Sequence, residues 1–240
     1  MLSDHQQPSN EYKFSIIIPV LYEQEQINEH IEQIVKQQSS KSYEIIVVDG
    51  DFKGGTIDAV NHSNVVKAVS EKGRAKQMNK GASIAKGEIL LFLHADTILP
   101  DNALEIMTET LENEKYVGGA FDLGIDSDRL SLKLIAARAR LRCRLSRIPY
   151  GDQAIFMRKQ YFEKIGRFKE IPFLEDVELM QRVKKNGDKI CILPQRVKTS
   201  ARRWEKEGVL YTTLRNMFVV MLHRFGVSPN RLTKYYKIKP

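Results

Sequence analysis

The sequence predicts an α/β protein with a mostly parallel central sheet flanked by helices and a basic, helical C-terminal part. Three observations carry this. Short, largely apolar runs recur between residues 14 and 93, the first stopped by Pro19 and the second by Asp49-Gly50. Between them lie segments whose apolar residues return at helical spacing among Glu, Gln and Lys. Strands buried on both faces read as unbroken apolar runs, and their alternation with helices marks parallel strands joined by crossovers.

Element by element, residues 1–12 are polar and without period, which predicts a disordered tail. Phe14-Ser-Ile-Ile-Ile18 is a β-branched run ended by Pro19, a buried strand. Ile27, Ile31, Ile34 and Val35 give an amphipathic helix, and Glu44-Ile-Ile-Val-Val48 a second strand ending at Asp49-Gly50. Val65–Val69 is a third strand. Residues 74–86 read helical through Ala75, Met78, Ala82 and Ala85, with Gly87 as the stop. Ile89-Leu-Leu-Phe-Leu93 is a fourth strand, followed by His94-Ala-Asp96 and a helix carrying Leu104, Met107 and Leu111. Beyond residue 117 the pattern is less regular. Strands are predicted at 118–123, 154–157 and 190–193, and helices at 130–145, 159–165, 175–186 and 208–225. No repeat or low-complexity linker interrupts the chain, so residues 13–240 are expected to form one domain, with 13–116 and 117–240 as its two halves.

The composition, 42% hydrophobic and 28% charged, excludes collagen-like, mucin-like and wholly disordered chains. No run reaches the ~18 apolar residues of a membrane-spanning helix. The polar N-terminus carries no leader-like apolar segment, and two cysteines, Cys143 and Cys191, make no disulfide framework. A cytoplasmic location follows as the expectation. The net charge of +8 is unevenly divided. Residues 1–128 carry 11 Lys and Arg against 21 Asp and Glu, a net −10, and residues 129–240 carry 27 against 9, a net +18. A basic half of this kind suits phosphate, lipid or nucleic acid, and it also suits solvated helix surface.

In an open α/β sheet, ligands bind beyond the carboxyl ends of the strands. Asp49 and Asp96 both stand there, one after the second strand and one after the fourth. Either alone could be a turn former; the pair points to a shared site. The first strand lacks the Gly-x-Gly-x-x-Gly turn of dinucleotide binding, and no P-loop, nucleophile elbow or His-Glu-x-x-His helix occurs.

Taken together, Ile17-Ile-Pro-Val-Leu-Tyr-Glu23, Ile45-Ile-Val-Val-Asp-Gly50, Gly73-Arg-Ala-Lys-Gln-Met-Asn79 and Leu91-Phe-Leu-His-Ala-Asp96 resemble the N-terminal half of a family 2 glycosyltransferase. Gly151-Asp-Gln153 and Phe173-Leu-Glu-Asp-Val-Glu-Leu179 resemble that family's acceptor-side motifs. The likeness covers roughly residues 14–205 and is greatest to a small bacterial subgroup with Leu-His-Ala-Asp and Gly-Asp-Gln motifs. It implies a GT-A-like fold and inverting transfer of a sugar from a nucleotide-sugar, with UDP favoured, to an acceptor hydroxyl. By the same resemblance, Pro19, Glu23, Asp49, Arg74 and Lys76 bind the nucleotide-sugar, and Asp96 holds Mg²⁺ or Mn²⁺. Glu175 and Asp176 supply the catalytic base; Asp152, Gln153, Arg203 and Trp204 lie on the acceptor side. Three departures stand out. His94-Ala95-Asp96 leaves one carboxylate where many relatives have two. The loop after Asp49-Gly50 runs Asp51-Phe-Lys-Gly-Gly-Thr56 instead of through Gly or Ser to a second Asp. Tyr22 replaces a common Asn.

Two other readings compete. A nucleotidyltransferase would need a Gly-rich basic loop directly after the first strand, which Pro19-Val-Leu-Tyr-Glu23 does not supply. A nucleic-acid-binding protein would use the basic half, but the arginines of Arg138-Ala-Arg-Leu-Arg-Cys-Arg144 alternate and so fall on two sides of a helix, which disfavours a nucleic-acid partner. The 209–225 segment carries Leu210, Leu214, Met217, Phe218, Met221, Leu222 and Phe225, and the chain ends in Lys234-Tyr-Tyr-Lys-Ile-Lys239. Some of that stripe is expected to pack on the sheet. The adjoining cations also allow docking on an anionic membrane surface at the cytoplasmic face, where lipid-linked acceptors reside.

Overall fold

The computed structural model describes residues 12–37 and 39–235. The predicted tail, apart from Tyr12, and the C-terminal stretch after Tyr235 lie outside the described residues. Eight strands, β1 (Tyr12–Val20), β2 (Tyr43–Asp49), β3 (Val65–Val69), β4 (Gly87–Phe92), β5 (Thr97–Ile98), β6 (Tyr116–Asp126), β7 (Ile155–Arg158) and β8 (Lys189–Ser200), form one sheet. Their order is β3-β2-β1-β4-β7-β6-β8-β5. β1 pairs in parallel with β2 and β4, β2 with β3, and β6 with β8. β7 enters antiparallel between β4 and β6, and β5 runs antiparallel to β8. The sheet is therefore mostly parallel, as expected, and β7 ties its two halves together.

Alternate residues of the central strands go to opposite faces, the period-2 consequence of the pleat. Ile16, Ile18, Ile45, Val47, Ile89 and Leu91 join one core with helices α1 (Ile27–Val35) and α4 (Ala103–Glu112). Ile17, Ile46, Val48, Leu90 and Phe92 join the other, under α3 (Arg74–Ile84), α6 (Lys159–Lys164) and α7 (Glu175–Lys185). Helix α3 lies tight on the sheet. A Cβ on Gly81 would meet Ile17 Cγ2 at 2.4 Å, and Gln77 Nε2 reaches between β1 and β2 to donate to Val20 O (2.7 Å) and Val48 O (2.8 Å). Those contacts fix the N-terminus of α3 beside the carboxyl ends of β1 and β2. The order reverses at β1, between β2 and β4, and that switch point opens the crevice described below.

Three features differ from expectation. The last strand does not stop at 193 but runs past Pro194 to Ser200. Its register with β6 slips between the Phe121–Leu193 and Asp122–Arg196 pairs, so Pro194, which has no N–H, sits in an irregularity where none is required. Short elements with too few residues for a period also escaped the pattern: α2 (Gly55–Asp58), β5, a 3-10 turn (Gly151–Gln153), α8 (Arg202–Glu207) and α10 (Pro229–Leu232). Finally, the stripe of which some was expected to pack on the sheet faces mostly outward, with Leu222 alone of it partly buried against a small cluster. Helix α9 (Val209–Arg224) buries Thr212 and Val219, and Val219 joins a small cluster with Phe173 and Leu232. Leu210, Leu214, Phe218 and Met221 are exposed. Helix α5 (Leu130–Ser146) lies against β6, where Arg140 donates to Leu123 O and Arg144 pairs with the buried Asp122 at 2.5 Å.

Candidate active site

Two cavities meet at the switch point. The larger, about 550 Å³, is lined by Pro19, Glu23, Lys72, Arg74, Lys76, Phe173 and Glu175 among others, a volume in the range of small-molecule sites. The smaller, about 190 Å³, is lined by Tyr150, Asp152, Asp176, Ser200, Trp204 and Asn216 among others. Arg74, His94, Asp96, Phe173 and Arg203 border both, so this group forms the junction.

Each wall follows from local structure. β1 delivers Pro19, and the chain then turns through Tyr22 at φ 60°, a left-handed conformation that costs a non-glycine residue and suits Asn better than Tyr. The substitution noted in the sequence thus falls on a backbone position where Asn is at home. Glu23 follows, its N–H donating to Thr56 Oγ1 (3.2 Å) and its carboxylate 3.7 Å from Arg202 Nη2. Burial raises the Glu23 carboxyl, against Arg202, which lowers it. Arg74 is the first residue of α3. Lys76 stands on the same turn and pairs with Glu71, which raises its pKa.

Asp49 is placed differently from the other candidates. It is fully buried and lines neither cavity. Its Oδ1 accepts from Asp51 N–H (3.0 Å) and its Oδ2 from Thr56 N–H (2.9 Å) and Ile57 N–H (3.4 Å). Both oxygens are spent on the 50–57 loop, which runs back beneath Glu23 through Thr56. A hydrogen bond from a nucleotide base would have to compete with these. Gln153 is likewise interior, accepting from Tyr150 N–H (3.1 Å) and donating to Phe121 O (2.9 Å).

Helix α7 divides its first two residues between the cavities. Leu174, its N-cap, holds φ at 63°, a strained setting for a leucine that aims the following carboxylates. Glu175, 3% exposed, lines the larger cavity and Asp176 the smaller. Asp176 Oδ2 accepts from Gly151 N–H (2.5 Å) and Oδ1 from Val177 N–H (2.7 Å). Gly151 is held between two site residues: a Cβ there would meet His94 Nε2 at 2.8 Å and Asp176 Oδ2 at 3.4 Å.

Charge is crowded here. Burial first, and then the neighbouring Asp176, push Glu175 up to about 7. Burial, then Asp176, lift Asp152 to about 6. Burial raises Asp176 itself, opposed by its two backbone donors, Arg74 and Arg142. Burial and the Arg74 guanidinium lower His94 to about 3, so its imidazole is neutral at ordinary pH. Arg142 stacks over the Tyr150 ring at 3.4 Å, which brings its charge to the smaller cavity's wall.

Asp96 is exposed, and among the described residues its carboxylate receives only a long hydrogen bond, 3.4 Å, from the Thr97 hydroxyl. Among the described residues no three His, Cys, Asp or Glu gather as a ready-made metal cage. One open carboxylate still fits a hard cation that takes most of its shell from diphosphate oxygens and water.

Several site residues lacked a sequence signal. Arg142, Tyr150 and Asn216 reach the site from α5, its exit and α9. Asn216 could have been noticed, because Thr212, Asn216 and Val219 form the face of α9 opposite its apolar stripe. Asp152 Oδ1, Trp204 Nε1 and Asn216 Oδ1 are buried with no hydrogen-bond partner among the described residues, and all three residues line the smaller cavity.

The family model for glycosyl transferase family 2 matches residues 15–172, more than half of the chain. The chain is 35% identical over 101 residues to a poly(ribitol-phosphate) beta-glucosyltransferase of Bacillus spizizenii, covering 38% of this chain and 16% of that protein. It is 25% identical over 167 residues to a dolichol-phosphate mannosyltransferase of Saccharomyces cerevisiae, covering 63% and 62%. A mannosyltransferase from Pyrobaculum calidifontis, solved with GDP-Man and Mn²⁺, superposes with a TM-score of 0.61 at 20% identity, over 80% of this chain and 57% of that one. That likeness shows a shared GT-A fold. The chain therefore spans less than two thirds of the length of these proteins.

Proposed function

The chain belongs to glycosyl transferase family 2, and from that premise we propose that it moves a sugar, with inversion, from a nucleotide-sugar to an acceptor hydroxyl. The carrying observation is the division at α7: Glu175 borders the larger cavity, Asp176 the smaller, and Asp96 stands at their junction. The larger cavity takes the nucleotide-sugar. Pro19 and Glu23 border the base and ribose, and Arg74 and Lys76 meet the diphosphate. Asp49 serves the nucleotide chiefly through the loop it holds. The smaller cavity takes the acceptor, between Asp152, Arg203 and Trp204; acceptor hydroxyls would satisfy the unpartnered polar atoms there. Gln153 supports this wall from the interior.

Asp176 is the base. Its raised pKa brings it nearer to the operating pH, where a base is most effective. The acceptor oxygen bonds to the anomeric carbon, its proton passes to Asp176, and the sugar–oxygen bond to the diphosphate breaks with its electron pair leaving on the nucleotide. Arg74 and Arg203 face the departing charge. Asp96 would hold Mg²⁺ or Mn²⁺, which when bound offsets charge on the leaving diphosphate. Glu175, whose pKa burial and Asp176 raise to about 7, carries less than a full negative charge near neutrality and so opposes that departure less.

A UDP-sugar is the favoured donor, with GDP-mannose the competitor because the archaeal structural neighbour holds it. The acceptor is a lipid-linked hydroxyl at the inner, anionic face of the membrane; no helix among the described residues is long and apolar enough to cross it. Residues 13–116 act as the nucleotide half and 117–240 as the acceptor half of one domain. The nucleic-acid reading loses support because Arg140, Arg142 and Arg144 are engaged within the protein. A thermal-shift panel of UDP- and GDP-sugars, with and without Mn²⁺, tests the reading: a bound donor raises Tm. No shift with any nucleotide-sugar would overturn it.

A further inference from the structure

Helices α5 and α9 each turn an apolar stripe toward solvent. On α5, Leu130, Leu134, Leu141 and Leu145 are 61–77% exposed. On α9, Leu210, Leu214, Met217, Phe218, Met221 and Phe225 are 39–80% exposed, Phe225 being its C-cap. The spacing is the same on both helices: 130, 134, 141 and 145 correspond to 210, 214, 221 and 225. Steps of four and seven keep side chains on one helical face. Scattered exposed leucines are ordinary, but two such stripes on helices that touch one another gather ten exposed apolar side chains into one region of the surface.

Charge says what the surface meets. Neither the 17 residues of α5 nor the 16 of α9 include Asp or Glu. Arg129, Arg138, Arg231 and Lys234 are exposed beside or beyond the stripes, while Lys133 and Arg144, also exposed, pair with Asp128 and Asp122. Arg215 is not part of this set, since it is committed to Glu207. A second copy of the chain would bring an equally basic half against this one. An anionic bilayer offers both an apolar interior for the stripes and negative headgroups for the cations.

We propose that α5 and α9 together form a platform that lies on an anionic lipid surface, with the leucine, methionine and phenylalanine side chains entering the headgroup–acyl boundary. The opposite side of α9 supplies Asn216 and Val219 to the smaller cavity, so the platform holds that cavity's wall against the lipid. This rests on the transfer reading above only for its purpose: the platform presents the cavity to a membrane-borne acceptor.

The test is flotation of the full chain with vesicles of phosphatidylcholine alone or mixed with phosphatidylglycerol, at low and high salt. It is run beside two double variants, Leu134→Glu/Leu141→Glu and Leu214→Glu/Phe218→Glu. All four side chains are exposed, and circular dichroism with thermal shift by UDP or GDP checks that each variant is folded. Binding should require the anionic lipid, weaken with salt, and fall by at least about tenfold in each variant, since burying one leucine side chain accounts for that much. Equal binding to both vesicle types, or full binding by both variants, overturns the platform. So does a dimer in light scattering that the Glu pairs dissociate while vesicle binding persists. No vesicle binding by the parent chain, with nucleotide binding intact, would refute the platform and leave the transfer reading standing; vesicle binding by the parent without any nucleotide binding would refute the transfer reading alone.

Discussion

Replacing Asp176 with Asn changes one atom and separates the two tasks of this carboxylate. As a base it must take a proton, which an amide cannot do; general-base catalysis is worth about 10²–10⁴-fold, or roughly 3–5 kcal/mol of barrier. As a structural group it accepts two backbone N–H bonds, from Gly151 on Oδ2 and Val177 on Oδ1. Asn keeps one acceptor and turns an NH₂ toward the other donor, a mismatch costing about 1–3 kcal/mol. The change also removes a carboxylate that burial disfavours in its charged form, which offsets part of that cost. Tm should therefore move by only a few degrees, at about 2–4 °C per kcal/mol for a chain of this size. Asp176 lines only the smaller cavity, so nucleotide affinity should be unchanged. The assay is nucleoside diphosphate release from the donor that binds in the thermal-shift panel. Water can stand in for the acceptor, because the same proton must be removed. A turnover kept within about tenfold of the parent would refute the role. If Glu175→Gln then abolished release, the base would be its neighbour; if neither mattered, Asp152 would remain.

Three further outcomes are expected. Asp96→Ala should abolish metal-dependent release and leave Tm without metal unchanged, and undiminished turnover of the parent in EDTA would remove the metal. Glu175 and Asp152 have folded pKa values, about 7 and about 6, above the ordinary 4.5 and 3.8. Their stabilising contribution is thus full in acid and lost as pH rises through about 6 to 7, so Tm of the nucleotide-free chain should fall between about pH 5 and pH 8, less steeply in Glu175→Gln. Tyr22→Asn relieves a left-handed tyrosine and should stabilise by about 1 kcal/mol or less in urea unfolding; a loss of stability would mean that the Tyr22 ring contributes more than its backbone strain costs.

The repeating pattern of the first half was legible in the sequence because it is local. Strands buried on both faces must be apolar at every position, so Ile16–Ile18, Ile45–Val48 and Ile89–Phe92 declared themselves; of the acids at or just beyond their ends, Asp96 marked the crevice and Asp49 did not. The family motifs, in order along the chain, pointed to the family whose model matches residues 15–172. The amphipathic stripe of α9 was also plain, but periodicity gives a helix an apolar face without saying what that face meets.

Tertiary structure alone decided that question, and two others. α9 turns Val219 and Thr212 inward and its larger apolar residues outward, because Phe173 and Leu232 offer only a small cluster to pack on. Asp49 and Asp96 looked equivalent at their strand ends; the Asp51, Thr56 and Ile57 N–H groups close around one and leave the other open, which depends on the path of the 50–57 loop. Glu175 and Asp176 are adjacent in sequence, yet one helical step of about 100° beyond a left-handed Leu174 sends them to different cavities. Sequence determines which groups are available. Which of them remains open to a ligand depends on backbone donors and packing partners from segments far away in the chain.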